Sequence, residues 1–510
     1  MRSLFKVFYF VVVLLGVFSI SANEDKNNMD IPYDYQQIAN LTSGELDGLW
    51  NEYCSKINRD YFDVEEYTEF LNQFVKLENL QIWADHSSSR DYETLSKISL
   101  ILPKLKSLAI RGINFNNLHW ISHCENLQEL DIDCIEEGTV DLAHLEKFQK
   151  LTKVHIVNYN DIVNADKVPL SVKDLALESY NGKIQNADFK KHHFISLKLN
   201  ASCIKSLPSK ACLEELEYLD ISHSSIIDLT PIKDNGHLKS LIYNGPDINT
   251  SYVIDYSPIA TLSHLEELQL RGFAQSEKEL KVIFEKLPKL QKLCLTEKFD
   301  DCINDLSFLE GRSFAMLTID EKLIDLIPQS ILLNQNLKEL CVIGGTSINH
   351  DSWTRLPLHL DKLTLDLSDC DLSKLTNFKI KALDIWEVDG IQNGDKMVEI
   401  APNLEILSMR GDAFDQLVET YQDSFLESFQ NLQVLDLDYI CENIHSLDFL
   451  KKLPTLKVVD IDCEWATIKP DDFNVFRELK NLTKIKLWAL NAELIQKVKE
   501  LQKEGIPIFY

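Results

Sequence analysis

Leu432-Gln433-Val434-Leu435-Asp436-Leu437-Asp438 is the stretch whose reading decides the fold. Its pattern is a leucine, two variable residues, a leucine, one variable residue and a leucine. One unit later the pattern returns as Leu456, Val459 and Ile461, and one unit earlier as Leu404, Leu407 and Met409. Traced outward it recurs eighteen times, with first positions at 77, 105, 127, 151, 172, 194, 216, 238, 265, 290, 314, 337, 360, 380, 404, 432, 456 and 482. Successive copies start 20 to 28 residues apart, a period at which each unit is too small to bury its apolar side alone and must stack on its neighbours. Side chains alternate along a strand, so Leu435 and Leu437 are expected to point into the stack while Asp436 and Asp438 point out. Equivalent outward residues of successive units then form ladders spaced about 4.8 Å apart.

Over residues 74 to 490 these units resemble the leucine-rich-repeat superfamily. Ile226-Ile227-Asp228-Leu229-Thr230-Pro231-Ile232 and Ile303-Asn304-Asp305-Leu306-Ser307-Phe308-Leu309 resemble the return segments of the short repeats in bacterial internalins. The resemblance implies an α/β leucine-rich-repeat solenoid, a horseshoe with a concave parallel β-sheet and mixed helices and turns on the convex side. The asparagine usual three residues past the last leucine is absent; its place holds Ser202, Ser224, Ser368, Asp412 or apolar residues such as Ile113 and Ile440. The turning backbone must therefore find its hydrogen bonds elsewhere. Return segments vary in kind. Ser276-Glu277-Lys278-Glu279 caps a predicted helix bearing Leu280, Ile283, Phe284 and Leu287, and Phe414 to Phe429 has helical spacing, whereas Lys205-Ser206-Leu207-Pro208 allows little more than a turn.

Residues 1–22 have the pattern of a signal peptide: Arg2 and Lys6 precede an apolar run from Val7 to Phe18, followed by Ser19, Ser21 and Ala22. That run is short of the roughly 20 residues that span a bilayer, so the expectation is export with no stable membrane span after cleavage. Residues 23–73 are expected to be a polar segment and a helical N-terminal cap, with one helix opened by Thr42-Ser43-Gly44-Glu45 and a second carrying Tyr67, Phe70, Leu71 and Phe74. Repeats fill 74–490, and 491–510 form a C-terminal cap with a helix over Glu493 to Gln502. Ile31-Pro32, Leu41, Glu45-Leu46, Trp50 and Cys54 resemble an F-box, which would make the chain an intracellular substrate adaptor for a ubiquitin ligase; the signal peptide speaks against it.

The formal charge of −28 repels phosphate backbones, which argues against nucleic acid and for a protein partner with a basic surface. Eleven cysteines leave at least one outside an intrachain pair. Cys294 and Cys341 fall on outward strand positions two repeats apart, too far to bridge, while Cys124 with Cys134 and Cys441 with Cys463 are possible disulfides against a background of packing cysteines. Glycine-rich phosphate loops, nucleophile elbows and His-Glu-x-x-His motifs are absent from the sequence, so a non-enzymatic protein without cofactor is expected. His119-Trp120-Ile121-Ser122-His123-Cys124 has zinc-like spacing, but Trp120 stands where glutamate is needed. Asn40, Asn200, Asn249 and Asn481 lie in glycosylation sequons, Asn200 on the expected concave face.

The outward ladder is most informative near its C-terminal end. The middle outward position reads Asp384, Ser408, Asp436, Asp460, Lys486, and the next reads Trp386, Arg410, Asp438, Asp462, Trp488. Two carboxylates about 5 Å apart repel by roughly 3 kcal/mol at an effective dielectric of 20, so four aspartates together require an offset that Arg410 and Lys486 supply in part. The candidate partner site is therefore Trp386, Arg410, Asp436, Asp438, Asp460, Asp462, Lys486 and Trp488, with the indoles as flat anchors. The same residue types also suit a carbohydrate-binding surface. A smaller grouping of Trp83, Arg111, Asp131 and Asp133 marks the first strands.

Overall fold

The computed structural model describes residues 40–41, 49, 64–83, 99–112, 117–134, 138–201, 203–245, 254–271, 277–296, 305–344, 352–386, 390–410, 414, 417–418, 422–438, 446–463, 468–488, 490 and 492–509. The signal-like segment, the first predicted cap helix and most of the F-box-like positions lie outside them, as do Cys441 and Asn249. The chain divides into two compact units, 1–265 and 266–510.

In the first unit, parallel strands run β1 (Asn40–Leu41), β2 (Asn79–Trp83), β3 (Ser107–Arg111), β4 (Glu129–Cys134), β5 (Lys153–Asn158), β6 (Asp174–Ser179), β7 (Ser196–Asn200), β8 (Tyr218–Asp220) and β9 (Ser240–Tyr243), each paired with the next. In the second unit the ladder runs β10 (Glu267–Arg271), β11 (Lys292–Thr296), β12 (Met316–Asp320), β13 (Glu339–Ile343), β14 (His359–Asp366), β15 (Lys379–Trp386), β16 (Ile406–Arg410), β17 (Val434–Asp438), β18 (Val458–Asp462), β19 (Lys484–Trp488) and β20 (Ile508–Phe509). Register is one residue per residue, so Leu383, Leu407, Leu435 and Val459 stand side by side, as do Asp384, Ser408, Asp436 and Asp460. All three apolar positions of every one of the eighteen predicted triplets are buried. A strand from each repeat, paired in parallel over a continuous apolar core, is the leucine-rich-repeat fold.

The return segments are mostly single 3-10 turns. They begin where an aspartate two residues upstream accepts a backbone N–H: Asp228 from Thr230 at 2.8 Å, Asp255 from Ser257 at 2.8 Å and Asp305 from Ser307 at 2.7 Å. All three carboxyls are held below their ordinary pKa, Asp228 and Asp255 first by the Thr230 and Ser257 hydroxyls and then by these backbone bonds, Asp305 first by the Ser307 backbone N–H and then by its hydroxyl. Without an asparagine ladder, the bends are served case by case: Ser224 Oγ donates to Ile221 O at 2.7 Å, Tyr243 OH to Ile226 O at 2.6 Å, and Asn158 Nδ2 to both Gly138 O and Asp161 O at 2.9 Å.

Helix α1 (Val64–Asn72) buries Tyr67, Phe70 and Leu71, with Phe74 buried just past its end. Helix α2 (Glu277–Lys286) buries Leu280, Ile283 and Phe284, and α3 (Ala492–Lys503) closes the last repeat. Two local features differ from the sequence reading. Of the stretch expected to be helical from Phe414 to Phe429, Phe414, Leu417 and Val418 are α-helical but Gln422–Ser428 form a 3-10 segment, and residues Ile508–Phe509 add a strand that the cap was not expected to contain. Pro507 O accepts the Ile485 N–H at 2.9 Å, so this tail continues the ladder. Cys124 stays a thiol, its Sγ 3.7 Å from Leu100 O, and the Cys124–Cys134 bridge is not formed. Cys294 and Cys341 flank Thr318, two strands apart as expected.

Candidate functional site

The open sheet face of the second unit carries the predicted residues, set by strand alternation onto two adjacent rows. On β15, Trp386 donates its indole N–H to Asp384 two residues earlier, which ties the ring to its own strand. The Arg410 guanidinium sits 4.3 Å from the centre of that ring, a cation–π stack between neighbouring strands. At the other end, Trp488 Nε1 donates to Asp460 Oδ1 at 2.5 Å, and Lys486 forms an ion pair with the other oxygen of the same carboxylate. Lys486 Nζ also lies 5.9 Å from the Trp488 ring. Asp436 accepts from Ser408 Oγ at 3.3 Å, and Asp462 is 8 % exposed.

This geometry changes the expected energetics of the four aspartates. Asp436 and Asp460 are cross-strand partners in register, and Asp462 faces Trp488. Asp460, however, is held by an ammonium and an indole N–H, so its charge is compensated where it stands. Asp438 is in register with Arg410. Sequence reasoning missed one member: Lys362 on β14 reaches diagonally to Asp384, 3.3 Å away. Asp384 thereby has two partners and remains 7 % exposed. The signal was available, because Lys362 lies one strand over and one outward position earlier.

The first unit has a different kind of face. Asp131, His155, Glu178, Lys198 and Asp220 alternate in sign across β4 to β8. His155 Nδ1 is 3.0 Å from Asp131 and its Nε2 3.2 Å from Glu178. Lys198 Nζ is 2.9 Å from Glu178 and 3.5 Å from Asp220, and Arg111 Nη2 is 3.5 Å from Asp131. Burial opposes the charged imidazolium, but the two carboxylates outweigh it and push the His155 pKa up to about 9. Burial likewise works to raise Asp131 and Glu178, yet His155 with Arg111 on one side and Lys198 on the other holds both below the usual carboxylate range. Asp133 goes the other way: burial dominates and raises it despite Arg111 and His155. Of this network the sequence reading had named only Arg111, Asp131 and Asp133. Asn200, 7 % exposed, bonds Glu178 and Asp220 through its side-chain amide, so its sequon nitrogen is occupied.

Elsewhere, His119 meets His144 edge-on at 5.0 Å, and among the described residues no three His, Cys, Asp or Glu side chains converge on a metal-sized site. No helix among them is long and apolar enough to cross a membrane.

No family model and no curated protein matches this chain. Among solved structures it is similar to the internalin InlF of Listeria monocytogenes, at 16 % identity and a TM-score of 0.30 over 84 % of this chain and 98 % of that one. A leucine-rich-repeat protein of Leptospira interrogans aligns at 17 % identity and a TM-score of 0.30 over 81 % and 91 %. The functional domain of InlJ from Listeria monocytogenes aligns at 14 % identity and a TM-score of 0.34 over 71 % and 70 %.

Proposed function

We propose that this is an exported binding protein, without catalytic activity of its own, that holds a protein partner with a basic surface on the open sheet face of the second unit between Trp386 and Trp488. The observation that carries the reading is the pair of indoles fixed by hydrogen bonds to carboxylates, one against Arg410 and one beside Lys486. Aromatic rings fixed at both ends of a carboxylate row offer large contact area at little entropic cost, the character of residues that dominate binding energy. The acidic charge of the chain speaks for a basic partner and against nucleic acid.

The test compares wild type with Trp386→Ala/Trp488→Ala as bait for proteins of the native medium. A protein retained by the first and lost by the second supports the reading; retention by both removes the indoles from the site. Binding on a glycan array that the double substitution abolishes would instead favour a carbohydrate surface. Export is checked by mass spectrometry of the natural chain, where a start near Asn23 is expected and an intact Met1 in cytosol would revive the adaptor reading.

A further inference from the structure

The first outward position of the strands is polar over most of both units: Glu129, Lys153, Asp174 and Ser196 in the first, Glu267, Lys292, Glu339 and Lys362 in the second. Tyr218 and Met316 interrupt it singly, and four successive strands depart from it together. On β15 to β18 the position holds Ala382, Ile406, Val434 and Val458, aligned side by side by the register. Ile406 is 42 % exposed, Val434 and Val458 are half-buried, and Ala382 is nearly covered. The row is bounded by Lys362 at one end and Lys484 at the other. Lys362 is tied to Asp384, and Lys484 lies 5.8 Å from the Phe509 ring. At the following outward positions the same four strands carry Asp384, Asp436, Asp460 and Asp462, with Asp438 at the register position of the one cation, Arg410. Lys362 and Lys486 from the flanking strands leave a negative excess.

An apolar row beside an acidic one needs a partner that is apolar along one edge and basic along the next. Spacing decides its conformation. Strands stand about 4.8 Å apart and the two rows about 6.6 Å apart. A helix lying across the strands advances about 5.4 Å per turn and presents i, i+4 and i+7 on one edge, so successive turns fall close to successive strands. Its roughly 10 Å width covers both rows. An extended peptide in the same direction repeats its facing side chains every 6.8 Å or so and falls out of step with the strands by the third one.

We propose that β15 to β18 dock an amphipathic basic helix of about three turns, its apolar edge on Ile406, Val434 and Val458 and its Lys or Arg edge over Asp436 and Asp460. This rests on the reading of that sheet face as the partner surface and specifies the partner's chemistry.

The test uses the full chain and three labelled 14-residue peptides of one Leu/Lys composition: one patterned as an amphipathic helix, one alternating as a strand, and one scrambled. Fluorescence anisotropy is expected to show the helical pattern binding at least about tenfold tighter than the other two, a difference of about 1.4 kcal/mol. Ile406→Thr/Val434→Thr, which keeps β-branching and β propensity, should erase that preference, and Asp436→Asn should weaken binding and flatten its salt dependence. Equal binding of all three peptides, or none by any, overturns the helix. A preference for the alternating peptide that the Thr substitutions remove also overturns it while leaving this face as the partner surface. A helical preference untouched by the Thr substitutions and by Trp386→Ala/Trp488→Ala places binding elsewhere and sinks both readings.

Discussion

The sheet faces of the two units are built on the same strand pattern and order their charges differently. In the first, Asp131, His155, Glu178, Lys198 and Asp220 alternate in sign so that each carboxylate meets a cation on a neighbouring strand. In the second, Asp384 and Asp460 also meet cations on neighbouring strands, Lys362 and Lys486, but the signs do not alternate: Asp436 stands beside Asp460 with an apolar row next to them. The contrast shows that an acidic chain can neutralise its sheet face by cross-strand alternation. Where it does so, the charged groups are partners of one another. Where like charges stay adjacent beside aromatic and apolar side chains, the surface keeps capacity for an external partner.

The sharpest way to break this comparison is to remove one carboxylate from each face. Glu178→Ala leaves Lys198 and a charged His155 without their shared, nearly buried partner, and should cost about 3 kcal/mol or more in thermal or denaturant unfolding. Asp460→Asn should cost less, about 1–2 kcal/mol, because its bonds to Lys486 and Trp488 are charge-assisted but partly exposed. A rise in melting temperature for Asp460→Asn would mean that repulsion from Asp436 outweighs those bonds. A pH series sharpens the first face. His155 has a folded-state value of about 9, above its ordinary 6.5 or so, so its contribution is present in full below the lower value and is lost as pH rises through the higher one. Relative to His155→Gln, the wild-type melting temperature should therefore fall between pH 7 and 10; parallel curves would show that the imidazolium adds no stability. The smallest effect is expected at Asp436→Asn, within about 0.5 kcal/mol of wild type, and a large loss there would make Asp436 structural.

Much of this was legible in the sequence, because burial of a parallel ladder dictates the Leu435, Leu437 pattern in every unit. The return turns were legible too, since Asp228 and Asp305 each stand two residues before the backbone N–H they accept from. Placing Trp386 and Trp488 on one row required only strand alternation. What the sequence did not disclose depends on side-chain reach. Lys362 bonds Asp384 diagonally, and Trp488 turns its N–H to Asp460 on the neighbouring strand, choices made by rotamers rather than by spacing. The His155 network escaped because Glu178, which joins its two halves, lies one outward row beyond the one that Asp131, His155, Lys198 and Asp220 share, and the apolar row because Ile406, Val434 and Val458 directly precede core residues and blend into their hydrophobic pattern. Ile508–Phe509 was too short a segment to show any periodicity.

The central claim, that the second unit's face holds the partner while the first unit's is satisfied by itself, is tested most directly by titrating the captured partner protein against two variants in a calorimeter. Trp386→Ala/Trp488→Ala should bind at least about tenfold more weakly, and Tyr180→Ala, at an exposed aromatic beside the first unit's network, should bind as wild type does. Full binding by the indole variant, with loss on substituting Tyr180, would contradict the account.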